Sequence, residues 1–305
     1  MSKSFDDLLA RVKECKRQKL AIGNAQDSFV MEAAKIAHDR GIVDVVMTGD
    51  KEKIEAIAKD IDMDLSDYEI IDVKEPMEAA LAAVKLVHEG QADIYMKGLL
   101  DTKSFLKSVL DKEVGLRTGN PLSHVAVFEI EGIQQLLFLT DVAFVPYPTL
   151  EDKVSLINNA VNVANACGVE NPKVAPLAAV EVVNEKMKET VEAAELTRMN
   201  EAGEIKGCIV DGPLSADLAI FPEAAVHKGA TGRKITGDAD ILLFPDIHAG
   251  NITYKFLVHT TKFKNGCILA GTSAPAILTS RSDSTETKVN SIALAAVVAA
   301  GRGKG

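Results

Sequence analysis

The sequence predicts an α/β protein of two lobes, each a largely parallel sheet with helices on both faces, and three observations carry that expectation. Short apolar runs alternate with stretches whose apolar residues recur three and four positions apart, the strand-then-helix pattern of a parallel sheet with crossovers. Ala, Val, Ile and Leu are abundant, Trp is absent and aromatics make up 5%, which suits helices on a parallel sheet better than a β-sandwich. At 305 residues the chain exceeds the commonest single-domain size, so two domains are expected.

Taken in order, residues 20–23 read as a strand, 28–40 as a helix, 44–48 as a strand and 51–60 as a helix opening after Gly49-Asp50. A third strand at 68–73 precedes a helix at 75–89, whose Pro76 sits in the first turn, where a missing N–H is tolerated. A fourth strand at 93–96 and a helix at 102–111 complete this run, with right-handed crossovers expected throughout. The pattern changes at 123–129 and 135–139, two apolar runs parted by Ile130-Glu-Gly-Ile, which read as an antiparallel pair. Alternation resumes with helix 151–166, strand 173–177, helix 183–201, strands 207–211 and 240–244, helix 251–260 and strand 266–270. The last helix, 284–300, is apolar enough to be well buried.

Charge and composition exclude several classes of function. A formal charge of −10 argues against nucleic acid as a partner, because phosphate-backbone binding needs clustered Lys and Arg whose field is not cancelled. A small anion in a locally positive pocket fits. Cys15, Cys167, Cys208 and Cys267 are far apart and form no Cys-x-x-Cys pair, so neither a disulfide framework nor a zinc site is expected. Residues 1–19 are charged and amphipathic, and no segment approaches the roughly 20 apolar residues of a membrane span. A cytoplasmic location, away from membranes, follows as the expectation.

The most informative words stand near the end of the chain. Phe244-Pro-Asp246-Ile-His-Ala-Gly250-Asn251-Ile-Thr-Tyr254-Lys255 and Ala274-Pro275-Ala-Ile-Leu-Thr-Ser280-Arg281-Ser-Asp283-Ser284 each read as a strand, a polar turn and a helix. Such turns aim unpaired backbone N–H groups at an anion lying in front of them. Ser280, Arg281 and Asp283 together form an inventory for handling a phosphate or an oxyanion.

These words resemble the phosphate acyltransferase family that contains phosphotransacetylase, and within it the butyryl branch. The likeness extends to Ala92-Asp-Ile-Tyr-Met-Lys97-Gly98, Lys112-Glu-Val-Gly-Leu-Arg117-Thr-Gly, Leu122-Ser123-His124-Val-Ala-Val-Phe128, Leu136-Leu-Phe-Leu-Thr-Asp141-Val-Ala-Phe144 and Ile205-Lys-Gly-Cys-Ile-Val-Asp211-Gly212-Pro213, in that order and spacing. The resemblance implies a two-lobed fold like that of the isocitrate and isopropylmalate dehydrogenases, with the active site in the cleft between lobes. It implies domains of 1–128 plus 272–305 and of 129–271. It also implies transfer of a butyryl group between CoA and phosphate, with butyryl-CoA and phosphate as small-molecule substrates, no metal or other cofactor, and a homo-oligomer.

That chemistry needs a base for the CoA thiol, a donor for the carbonyl oxyanion and a cation for phosphate. Arg281 is the foremost candidate, since its planar fork grips phosphate oxygens and a cation is otherwise misplaced before a helix start. Ser280 matches the family serine that stabilises the oxyanion, the alternative being a turn-forming hydroxyl. The aspartate that acetyl-specific relatives carry seven residues after this serine is replaced here by Thr287. Asp283 and Glu286 are the nearby carboxylates for the base, each also readable as a helix cap. Asp246, Gly250 and Asn251 are expected to line the substrate site, against a reading as ordinary loop and cap. Lys97 and Gly98, at a parallel strand's carboxyl end, are expected to contact phosphate or CoA. Lys107, where acetyl-specific relatives have a second arginine, and Arg117 are further binding candidates. Three competing readings remain: an acyltransferase of other short-chain specificity, a non-catalytic acyl-CoA-binding protein, and a metal- and nicotinamide-dependent decarboxylating dehydrogenase. The last would need an aspartate cluster that the sequence does not assemble.

Overall fold

The fold was obtained as a computed structural model that describes residues 3–280 and 283–302. The chain divides into two compact units, Asp6–Asn120 with Gly266–Gly305, and Met1–Phe5 with Pro121–Asn265.

The first unit opens with α1 (Phe5–Lys13), then alternates β1 (Gln18–Gly23), α2 (Ser28–Asp39), β2 (Val43–Gly49), α3 (Lys51–Asp60), β3 (Glu69–Asp72), α4 (Pro76–His88), β4 (Ile94–Lys97) and α5 (Thr102–Val109). Polar caps set the helix starts: Asp27 accepts from the Phe29 and Val30 N–H groups, and Asp50 accepts from that of Lys53. β1 pairs parallel with β2 and β4, and β2 parallel with β3, as the alternation predicts.

The other unit contains β5 (Ser123–Ile130), β6 (Leu137–Thr140), α6 (Leu150–Ala166), β7 (Lys173–Pro176), α7 (Lys188–Glu201), β8 (Ile209–Val210), α8 (Ala216–Ile220), α9 (Pro222–His227), β9 (Ile241–Leu243) and α10 (Ile247–Thr260). Its strands run in the order β5-β6-β9-β7-β8. β5 and β6 form the expected antiparallel pair, and β9 pairs parallel with β6 and β7.

The chain then returns to the first unit as β10 (Phe263–Ala270), β11 (Ala276–Ile277) and α11 (Thr285–Arg302). The strand order of that unit is β3-β2-β1-β4-β11-β10. β11 runs parallel to β4 and antiparallel to β10. Every residue of α11 from Thr287 to Val298 is buried, and the helix packs on α2. A Cβ at Gly266 would lie 2.9 Å from the Asn290 carbonyl, so β10 touches α11 through bare backbone there.

Three departures from the sequence reading have local causes. α10 begins at Ile247, four residues before the expected start, because Asp246 caps it by accepting from the Ala249 N–H at 3.0 Å. α7 begins at Lys188 instead of 183, with Asn184 and the buried Thr190 bonded to each other in the preceding turn. α8 and α9 went unread, being five and six residues long and so too short to show a period.

Candidate functional site

The carboxyl ends of β1 and β4 are tied tightly together. The Gly98 N–H donates to the Gly23 carbonyl at 3.0 Å and the Leu99 N–H to that of Asn24 at 2.7 Å. Asn24, in the left-handed region at φ 57°, returns a side-chain N–H to the Leu99 carbonyl at 2.5 Å. A Cβ at Gly98 would fall 2.2 Å from the Asn24 carbonyl oxygen, so only glycine permits this approach. Lys97, the last residue of β4, is 8% exposed.

Next to this strand end lies the turn between β11 and α11. The Ser280 N–H donates to Asp283 Oδ2 at 2.7 Å, and the Asp283 N–H returns a bond to the Ser280 carbonyl at 3.2 Å. The cap of α11 is made by Ser284, whose Oγ accepts from the Thr287 N–H at 3.1 Å. Asp283 is half-buried, and Glu286 is exposed. Arg281 lies outside the described residues.

Asp27, Phe29, Val30, Lys97, Gly98, Leu99, Thr279, Ser280 and Lys288 line one pocket of about 250 Å³. Lys288 was not anticipated. It is 2% exposed, its ammonium donates to the Asp283 carbonyl at 2.5 Å, and it lies 5.9 Å from the centre of the Phe29 ring. Burial pushes Asp283 above the ordinary carboxylate range, opposed by the Ser280 N–H and by the Lys288 and Lys97 charges. Burial pushes Lys288 below the ordinary lysine range, opposed by Asp283 and Asp27. The pocket thus joins two buried cations, a serine and an apolar side formed by Phe29, Val30 and Leu99, and Asp283, whose pKa is raised, is bonded to two of its lining residues, Ser280 and Lys288. Such a set can take a proton and hold an anion.

The remaining sequence candidates are placed elsewhere. Lys107 and Arg117 are exposed, and neither they nor Glu286 line the pocket. In the other unit, Gly250 lies within α10, where a Cβ would meet the Asp141 carbonyl oxygen at 2.2 Å. Asn251 donates to the Val142 carbonyl at 2.9 Å, so both residues dock α10 on the segment after β6. Asp141 is 3% exposed and accepts from the N–H groups of His124, Ala143 and Phe144, yet burial still raises its pKa. His124 is buried between the Phe144 and Tyr254 rings, and burial lowers its pKa to about 4. Cys167, Cys208 and Cys267 are buried, and burial raises the Cys208 thiol to about 11. Among the described residues, no group of three or more His, Cys, Asp or Glu could hold a metal ion, and no helix is long and apolar enough to cross a membrane.

Comparison with known proteins gives concordant findings. The family described as phosphate acetyl/butaryl transferase matches residues 4–80 and 73–296. A phosphate butyryltransferase of Clostridium beijerinckii is 59% identical over 300 residues, covering 98% of this chain and 99% of its own length. One of Clostridium acetobutylicum is 56% identical over 299 residues, with 98% and 99% covered. A crystal structure of a branched-chain phosphotransacylase from Enterococcus faecalis superposes with a TM-score of 0.82 at 33% identity, covering 92% of this chain and 99% of that one.

Proposed function

The chain belongs to the phosphate acetyl/butaryl transferase family, and from that premise we propose that it transfers a butyryl group between CoA and phosphate. In the direction of thioester synthesis, the CoA thiol gives its proton to a carboxylate and the thiolate attacks the carbonyl carbon of butyryl phosphate. A C–S bond forms, the C–O bond to phosphate breaks, and the leaving phosphate takes up the proton. The products are butyryl-CoA and inorganic phosphate. No cofactor enters this balance.

We assign the proton transfer to Asp283. A base must stand at the pocket with a pKa moved toward the operating pH. Asp283 is bonded to the pocket residues Ser280 and Lys288 and has a raised pKa, whereas Glu286 is exposed and Asp246 caps α10. Ser280 donates to the carbonyl oxygen as it becomes an oxyanion. Arg281 and Lys97 take the phosphate, the first through its bidentate fork and the second as a point charge. The acyl chain rests on Phe29, Val30 and Leu99. We further propose that Asp246, Gly250 and Asn251 complete the substrate site in the cleft implied by the family likeness, and that the enzyme acts as a cytoplasmic homo-oligomer. The observation that carries the reading is the 2.7 Å bond between the Ser280 N–H and the Asp283 carboxylate, beside two buried lysines in one pocket.

The test is phosphate-dependent release of thiol from butyryl-CoA by the purified protein, with the acyl phosphate trapped by hydroxylamine. Release should require phosphate and proceed without added magnesium or nicotinamide. No phosphate-dependent release from any two- to five-carbon acyl-CoA would refute the proposal.

A further inference from the structure

We infer that Lys288 is a positioning residue, which holds the Asp283 backbone and stands as the counter-charge to the Asp283 carboxylate. The inference rests on the assignment of Asp283 made above. It begins from an energetic anomaly: a lysine 2% exposed in the first turns of a helix whose next ten residues are all buried. Holding an ammonium there is costly unless it is bonded and opposed by negative charge. Its bond goes to the Asp283 carbonyl at 2.5 Å, five residues back, and so reaches the turn itself and not the helix. The same turn is closed on its other side by the Ser280 N–H on the Asp283 carboxylate. Lys288 therefore holds the backbone of the residue whose side chain faces Ser280.

The charged groups around this carboxylate come from three elements. α11 supplies Lys288 and, exposed, Glu286; β4 supplies Lys97; and α2 supplies Asp27 at its cap and Glu32, which accepts from the Thr285 hydroxyl at 3.2 Å. The two lysines and the Ser280 N–H favour the ionised carboxylate while burial opposes it. Removing one of two such cations shifts a carboxylate upward by about 1 pH unit. Asp283 would then hold its proton through more of the range where it has to accept one.

The experiment compares Lys288→Met, Lys288→Gln and Lys288→Arg with the parent enzyme by kcat/KM for butyryl phosphate and CoA between pH 5 and 9. In the Met and Gln variants the acid limb should move up by about 1 unit, giving roughly tenfold loss at low pH and much less at pH 8. Lys288→Arg should keep the parent limb. Loss by one constant factor at every pH, or no loss, together with an unmoved Asp283 inflection in the pH dependence of unfolding, would overturn the inference, and having two neutral variants guards against one that fails to fold. A second reading needs no turnover: the difference in unfolding midpoint between each background and its Asp283→Asn derivative, followed against pH, reports the titration of Asp283. Its inflection should move up with Lys288 neutral. If that inflection moves while the turnover limb stays, the lysine–carboxylate coupling stands and the assignment of Asp283 as base falls. If the inflection stays, the coupling itself is wrong.

Discussion

Gly98→Ala is the substitution whose cost follows most directly from the geometry. The added methyl would lie 2.2 Å from the Asn24 carbonyl oxygen and 2.7 Å from that of Gly23, where ordinary contact begins at 3.4 Å. Relief requires a movement of about 1.2 Å. The obstructing atoms are backbone, so no rotamer change can provide it. They also accept the two bonds that close the strand ends, at 3.0 and 2.7 Å, and a shift of this size stretches at least the shorter beyond hydrogen-bonding range. Overpacking costs about 1–3 kcal/mol and each weakened bond about 1 kcal/mol, so about 3 kcal/mol in all. For a unit of this size that is a fall of roughly 6–12 °C in Tm. Lys97, one residue earlier, must move with the backbone, so the KM for phosphate should rise several-fold. Thermal unfolding followed by circular dichroism, together with phosphate saturation at fixed butyryl-CoA, reads both effects. Gly232→Ala is the control, because a methyl there meets nothing within 4 Å. A Gly98→Ala protein that unfolds within 2 °C of the parent, with unchanged KM, would show that the strand ends are not held as described.

Four other outcomes are expected. Asp283→Asn should lower kcat by about 100-fold or more, while Glu286→Gln leaves it nearly intact, measured as thiol release under saturating substrates. Because burial raises the folded pKa of Asp283, its ionisation weakens the fold as pH rises; Asp283→Asn should thus gain stability near neutrality, a gain that vanishes below the ordinary pKa of 3.8. His124 behaves in the opposite sense, since its folded pKa is lowered to about 4 from 6.5. Its contribution is fully present above pH 6.5 and lost as pH falls through 4, about 3 kcal/mol in total, so His124→Leu should flatten this part of a denaturant-midpoint profile. Finally, butyryl-CoA should exceed acetyl-CoA by about 15-fold in kcat/KM, two methylenes at about 0.8 kcal/mol each, with propionyl and valeryl close to butyryl. Acetyl-CoA matching butyryl-CoA in that series would remove the apolar acyl pocket from the mechanism.

The strands were legible where they are long enough for their burial to leave a run of apolar letters, as in β1, β2 and β5. β11 has two residues, and its place between β4 and β10 follows from pairing across the chain, which no local pattern carries. The start of α10 was misread because Gly250 looks like a turn. In the fold it sits inside the helix, bare so that the Asp141 carbonyl can approach. In the pocket, Lys97, Gly98 and Ser280 were legible because they follow strand residues at positions where parallel strands present ligand groups. Lys288 was not legible, since a lysine entering an apolar helix reads as a solvent-facing stripe. Only the packing of α11 on all sides reveals it as interior. Lys107 and Arg117 carry the charge the chemistry needs, but both are exposed and neither lines the pocket.

The strand order β3-β2-β1-β4-β11-β10 has a consequence for synthesis. β1 to β4 are translated first, but β11, which pairs with the open side of β4, and the helix α11 that packs on α2 come from residues after 265. The 145 residues of Pro121–Asn265 must be made in between. At about 5–20 residues per second, the ribosome holds a half-built sheet for roughly 7–30 s with its β4 edge unpaired. Edge strands left open invite pairing with other chains, so this interval is when the nascent protein is most exposed to aggregation. The same stretch that closes the edge carries Ser280, Asp283 and Lys288. A ribosome-bound intermediate therefore has neither a finished sheet nor a pocket, and both arrive together.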